Sequence, residues 1–152
     1  MEENHYVIHT SLYYHLVFST HDRLRWIDKS WQERLAQYIG GIVRDIEGIA
    51  IEIGGDSDHS PILARLKAKY GISDSLRMIK SGSSKWVHES MGLRSFQWQV
   101  GYGAFTVRSS DVEVIRKYIR NQREHHRKKT FQEEYIELLN ENGIEFDEKY
   151  LW

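Results

Sequence analysis

The chain contains no cysteine and a single proline, Pro61, among its 152 residues. Without cysteine there is no disulfide framework, no thiolate zinc site and no cysteine nucleophile. No proline-rich linker, internal repeat or low-complexity segment divides the sequence. No uninterrupted apolar run approaches the roughly 18 residues of a membrane-spanning helix, so no membrane partner is expected. The opening Met1-Glu2-Glu3-Asn4-His5 has neither a basic region nor an apolar signal run, and a cytoplasmic protein is the expectation. What is present, 40% apolar residues, suits one domain over 1–152, with an acidic C-terminal helix and tail over 130–152.

A formal net charge of -1 conceals an asymmetry. From Thr130 to Trp152 seven acidic residues face one basic residue, Lys149, which leaves 20 Lys and Arg against 15 Asp and Glu in residues 1–129, a net of +5. Seven of the basic residues fall between Arg116 and Lys129. Such a run is either a solvated helix face or a phosphate-binding surface, and the candidate contacts are Arg116, Lys117, Arg120, Arg123, Arg127 and Lys128. The acidic tail is a candidate clasp for a neighbouring subunit.

The aromatic and β-branched run Tyr13 to Thr20 predicts a strand. Ser30 with Glu33 has capping-box spacing, and Trp31, Leu35, Tyr38, Ile39, Ile42, Val43 and Ile46 recur at helical intervals up to Gly48. Gly40-Gly41 inside that helix suggests close packing of another backbone. Ile49, Ile51 and Ile53 predict a second strand. A third runs from about His59 to Leu66, with His59, Pro61, Leu63 and Arg65 on one face, and starts late or kinks at Pro61. A helix follows from Ser73 towards Trp86-Val87, with Gly82 a possible interruption, then a strand over Trp98 to Arg108 in which Gly101-Tyr102-Gly103 suggests a bulge or close approach. Two capping boxes, Ser110 with Glu113 and Thr130 with Glu133, open the last two helices, and Gly143 stops the second. The order β-α-β-β-α-β-α-α begins as the α+β, ferredoxin-like arrangement, an antiparallel sheet with helices on one face.

Tyr118 and Gln122, four residues apart, share a helical face, and His59 opens a strand. Taken singly, Tyr118 reads as core packing and His59 as a structural histidine. Their conjunction with adjacent basic residues suggests nucleic-acid chemistry.

Tyr14-His15-Leu16-Val17-Phe18-Ser19-Thr20, Asp58-His59, Leu76 to Trp86, Trp98-Gln99-Val100-Gly101-Tyr102-Gly103-Ala104-Phe105 and Tyr118-Ile119-Arg120-Asn121-Gln122-Arg123-Glu124-His125-His126 together resemble the single-tyrosine transposases of the HUH endonuclease superfamily. These are the insertion-sequence-200-like group and its repeat-associated relatives, and the likeness spans nearly the whole chain. It implies an enzyme that cuts and rejoins single-stranded DNA at hairpin ends through a 5′-phosphotyrosine, as a homodimer, with a Mg or Mn ion and no small-molecule substrate. Tyr118 would be the nucleophile, and His59 and Gln122 metal ligands. Pro61 departs from the pattern, because it stands where a second histidine ligand belongs and offers no donor. Asp56, Asp58 and His15 are the substitutes the sequence offers. The departure implies weakened metal binding and impaired cleavage, and the alternative function is a catalytically inactive binder of single-stranded or hairpin DNA. Trp98, Tyr102 and Phe105 are aromatic residues for stacking on unpaired bases, or else packed in the core. An RNA-binding module is a weaker option, since its aromatic signature is not evident.

Overall fold

A computed structural model describes residues 7–122 and 129–151. Four strands, β1 (Tyr13–Ser19), β2 (Ile49–Ile53), β3 (His59–Arg65) and β4 (Gly103–Val107), form an antiparallel sheet in the order β2-β3-β1-β4. That order is the ferredoxin-like one expected from the element sequence. The first helix, α1 (Lys29–Asp45), and the second, α2 (Ile72–Ser90), cover one face, with Leu16, Phe18, Ile62 and Ala64 of the sheet packed against Leu35, Ile39, Val43, Leu76 and Ile79.

The two described helices after β4 lie against the opposite face. The first, α3 (Val112–Arg120), sits over the β2 edge. Its buried Ile119 meets Gly54, where an added Cβ would come 2.7 Å from Ile119 Cγ2. The second, α4 (Phe131–Glu141), sends Phe131, Tyr135 and Leu139 onto Val17 and Phe105. Both faces of β1 are therefore dry, which is why its sequence reads as a near-continuous apolar run.

Helix starts depart from the sequence reading in two places. Asp28, not Ser30, caps α1, its side chain accepting from Ser30 N at 2.9 Å. No side chain caps α3, which is entered through a tight turn at Ser109–Asp111 instead of a Ser110–Glu113 box. Thr130 does cap α4, accepting from Glu133 N at 3.2 Å, and Gly143 (φ 66) ends its C-terminal turn. The glycine readings also shift. At Gly40 the nearest atom to an added Cβ is 3.8 Å away, so nothing presses on it. Gly82, uninterrupted inside α2, is where α1 comes close, its Ile42 Cδ1 lying 2.8 Å from a Cβ built there.

Pro61 does not kink β3, which runs unbroken with Pro61 opposite Val17. Its missing N–H faces the end of β2, where Pro61 O accepts from Gly54 N at 3.0 Å. Gly54 O, which that N–H would have served, accepts from Ser60 Oγ at 3.2 Å instead. The adjacent serine thus satisfies the carbonyl that proline leaves open. β4 is shorter than expected, because residues 98–102 peel away from the sheet. Trp98 makes one bridge to Thr20, and Gln99 N donates to Ser19 O at 2.9 Å.

Candidate active site

His59 projects from the start of β3 on the face covered by α4, as the alternation along that strand predicts. Its side chain is fully buried and its ring stacks on Phe131, centroids 4.3 Å apart and 25° from parallel. Nδ1–H donates to Asp58 Oδ1 at 2.7 Å. A carboxylate on Nδ1 fixes the tautomer and puts the lone pair on Nε2, the arrangement that makes an imidazole a ligand or a base.

Helix α3 ends at Arg120 with Asn121 as its C-cap, so Gln122 lies just beyond it, and Tyr118 and Gln122 both turn to one residue of α4. Gln122 Nε2 donates to Glu134 Oε2 at 3.2 Å, while the Tyr118 hydroxyl is hydrogen-bonded to the same carboxylate. Glu134 is itself buried. Burial first, then the charge of and hydrogen bond to Glu134, then the charges of Glu137 and Glu141, push the Tyr118 hydroxyl above the ordinary phenol range. Gln122 Oε1 is buried and has no hydrogen-bond partner among the described residues. Phe131 and Glu134 are one helical turn apart on α4, so a single helix gathers the histidine of the sheet with Tyr118 and Gln122 beneath it.

The substitutes for a second histidine resolve differently. Asp58 is engaged with His59, and Asp56 Oδ1 accepts from Ser57 N at 2.8 Å. His15 lies on the same sheet face, but Ser19 is the β1 residue opposite His59. Four residues at about 3.3 Å each leave roughly 13 Å between them along the strand, so His15 cannot share an ion with His59. Burial pushes its imidazole down to about 4, against a smaller opposing pull from Glu134. Pro61 contributes no donor. Among the described residues no three His, Cys, Asp or Glu side chains come together as a metal cage.

Of the candidate DNA contacts, Arg116 and Arg120 both reach Glu52 of β2, at 3.3 and 3.0 Å, and so clamp α3 to the sheet edge. Lys117 is exposed. Arg123, Arg127 and Lys128 lie outside the described residues. Trp98 and Phe105 are buried, Trp98 donating its indole N–H to Ser83 Oγ at 2.9 Å, which leaves Tyr102 as the stacking candidate with solvent access, 38% exposed. In the C-terminal segment Phe131 stacks on His59, and Glu137 pairs with Lys129 at 2.7 Å. The parts that sequence reasoning missed are Glu134, Phe131 and Glu52. Only charge and helical spacing marked them, and neither says which surface a helix meets.

Residues 8–122 match the family profile described as "Transposase IS200 like". The fold is similar to that of a transposase candidate from Deinococcus radiodurans R1, with TM-score 0.63 and 20% identity over 80% of this chain and 97% of that one. It is similar too to a REP-associated tyrosine transposase bound to a REP hairpin, with TM-score 0.60 and 17% identity over 83% of this chain and 74% of that one. No curated protein matches at a significant level. With a family profile covering well over half its length, this chain belongs to the IS200-like transposase family.

Proposed function

We propose that this protein cuts and rejoins single-stranded DNA at hairpin ends, with Tyr118 as the nucleophile. The observation that carries this reading is the convergence of Tyr118, Gln122 and His59 under α4. In the cleavage step the Tyr118 oxygen forms a bond to phosphorus as the bond from phosphorus to the 3′ oxygen breaks. The phenolic proton is given up, and the leaving 3′ oxygen takes one to become a hydroxyl. The 5′-phosphotyrosine keeps the bond energy for rejoining, when a 3′ hydroxyl attacks it and the phenol is released.

The residues fit a divalent ion in part. Gln122 Oε1 is a hard oxygen donor with no partner among the described residues, and Asp58 sets the His59 tautomer for coordination, but Pro61 adds nothing. Phosphate oxygens and water would complete the shell of Mg or Mn held by His59 and Gln122. Such an ion, when bound, polarises the scissile phosphate. His59 is fully covered in the state shown, so DNA entry requires α4 to move aside, which frees the Tyr118 hydroxyl and the Gln122 amide from Glu134 together. The ion pairs of Arg116 and Arg120 with Glu52 are solvent-screened on the arginine side, so a phosphate can compete for both arginines.

Within one chain α4 already connects His59 to the Tyr118 helix, and we take the site as completed there. The homodimer implied by the family would then hold two DNA ends, and sedimentation at micromolar concentration tests it. Pro61 favours a second reading, a DNA binder without cleavage. Incubating the protein with a labelled hairpin bearing a single-stranded flank, in Mg or Mn, separates the two. The first reading expects a covalent adduct that is lost in Tyr118→Phe while DNA affinity is kept. Binding with no adduct in either protein supports the second.

A further inference from the structure

Between α2 and residues 96–102 lies a cavity of about 590 Å³ that the catalytic reading does not use. It is open to solvent, and its volume falls within the range of clefts that take an organic ligand. Leu76, Phe96 and Trp98 give it apolar walls, and Val100, 95% exposed, stands at its mouth with Tyr102. Arg77, Lys80, His21 and His88 also line it, and no acidic side chain does. Asp74 and Asp22, which pair with Arg77 and His21, do not line it, so an aromatic-edged surface with Arg77 at its side is complementary to an anionic ligand with a flat apolar part.

The cavity is also preformed. Lys80 Nζ donates to three successive carbonyls, Gln99 at 2.5 Å, Val100 at 3.2 Å and Gly101 at 2.9 Å, and so pins the rim. Gln99 Oε1 accepts from Ser19 N at 2.7 Å, tying the same rim to the end of β1. His21, Val100 and Tyr102 are shared with an adjoining cleft that contains Asp22 and Tyr135, and Asp22 is shared in turn with the cleft holding His59 and Lys129. These shared lining residues place the three clefts side by side around the turn at His21–Arg23.

We propose that this cavity receives one unpaired base of the single-stranded DNA flanking the hairpin, with Tyr102 stacking at its mouth and Arg77 meeting the adjoining phosphate. The proposal rests on the DNA reading above and adds a binding site away from the cleaved bond. The phosphate would displace Asp74, which pairs with Arg77 at 3.1 Å on the exposed helix surface. Unpaired bases are commonly held in this way, by aromatic stacking beside cations that track the backbone.

The test uses the full chain and two fluorescent DNAs, a hairpin with a mixed-sequence single-stranded flank of about eight nucleotides and the same hairpin with a blunt foot. Two variants attack the cavity from opposite walls, Tyr102→Ala at the rim and Ser81→Trp on the exposed face of α2, with circular dichroism confirming that each is folded. Each is expected to bind the flanked hairpin about tenfold more weakly and the blunt one as the wild type does. Unchanged affinity for the flanked hairpin, or equal loss on both DNAs, overturns the cavity assignment and leaves the DNA reading standing. Failure of the wild type to bind either DNA overturns both.

Discussion

Replacing His15 by leucine should remove an acid sensitivity built into the sheet. His15 is buried between the sheet and α4, and its Nε2 has no hydrogen-bond partner among the described residues. Its folded value of about 4, against an ordinary 6.5, means that the native imidazole stays neutral where the unfolded chain already binds a proton. Below pH 6.5 the unfolded state binds more protons, so stability falls as pH drops and levels off below about pH 4. At pH 5 the loss is about 2 kcal/mol, rising to roughly 3 kcal/mol at the acid limit. That is a large part of a total stability of about 5–15 kcal/mol. Urea denaturation of wild type and His15→Leu at pH 7 and pH 5 isolates the effect, because carboxylate titrations are common to both proteins. The variant is expected to gain about 2 kcal/mol on the wild type between the two pH values. It should lose nothing at pH 7, where it also removes a buried polar atom without a partner. A stability difference that stays flat with pH, or a His15 ring resonance titrating near 6.5, would refute the argument.

Gly54→Ala forces a methyl within 2.9 Å of the Ile119 carbonyl and should destabilise by about 1–3 kcal/mol, whereas Gly40→Ala, whose methyl would make ordinary contact with Ile53 at 3.8 Å, should stabilise by up to about 1 kcal/mol; urea midpoints read both. Glu134→Gln keeps a hydrogen-bond acceptor for Tyr118 but removes the charge opposing the phenolate, so the alkaline limb of adduct formation should move to lower pH, and slower adduct formation with an unshifted profile would contradict this. Pro61→His restores a donor beside His59, and Mn affinity by calorimetry should rise about tenfold or more; an unchanged affinity would mean that position 61 does not face the ion.

Much of this arrangement was legible in the residues. The strand alternation placed His59, Pro61 and Leu63 on one face, and four-residue spacing placed Tyr118 with Gln122. The strand face follows from local backbone geometry alone; α3 ends at Arg120, between Tyr118 and Gln122, and those two meet through Glu134 instead. The capping reading succeeded at Thr130, where serine-like capping and a good helix former agree, and failed at Ser110, where a preceding turn supplies the entry. Pro61 was read as a break because a missing donor in a central strand normally opens the ladder. It does not break β3, because its nitrogen points at the end of β2 and Ser60 serves the carbonyl left over.

The sequence by itself determined the element order, the absence of cysteine chemistry, the apolar stripes and the candidate tyrosine, histidine and glutamine, since each follows from composition or from periodicities of two and 3.6 residues. The tertiary structure alone decided that α4 folds over its own sheet, that Glu134 holds Tyr118 and Gln122, and that Glu52 takes Arg116 and Arg120. These contacts join residues far apart in the chain. Which partner a buried carboxylate or an aromatic ring meets is set by how whole helices pack, and no local pattern encodes that choice.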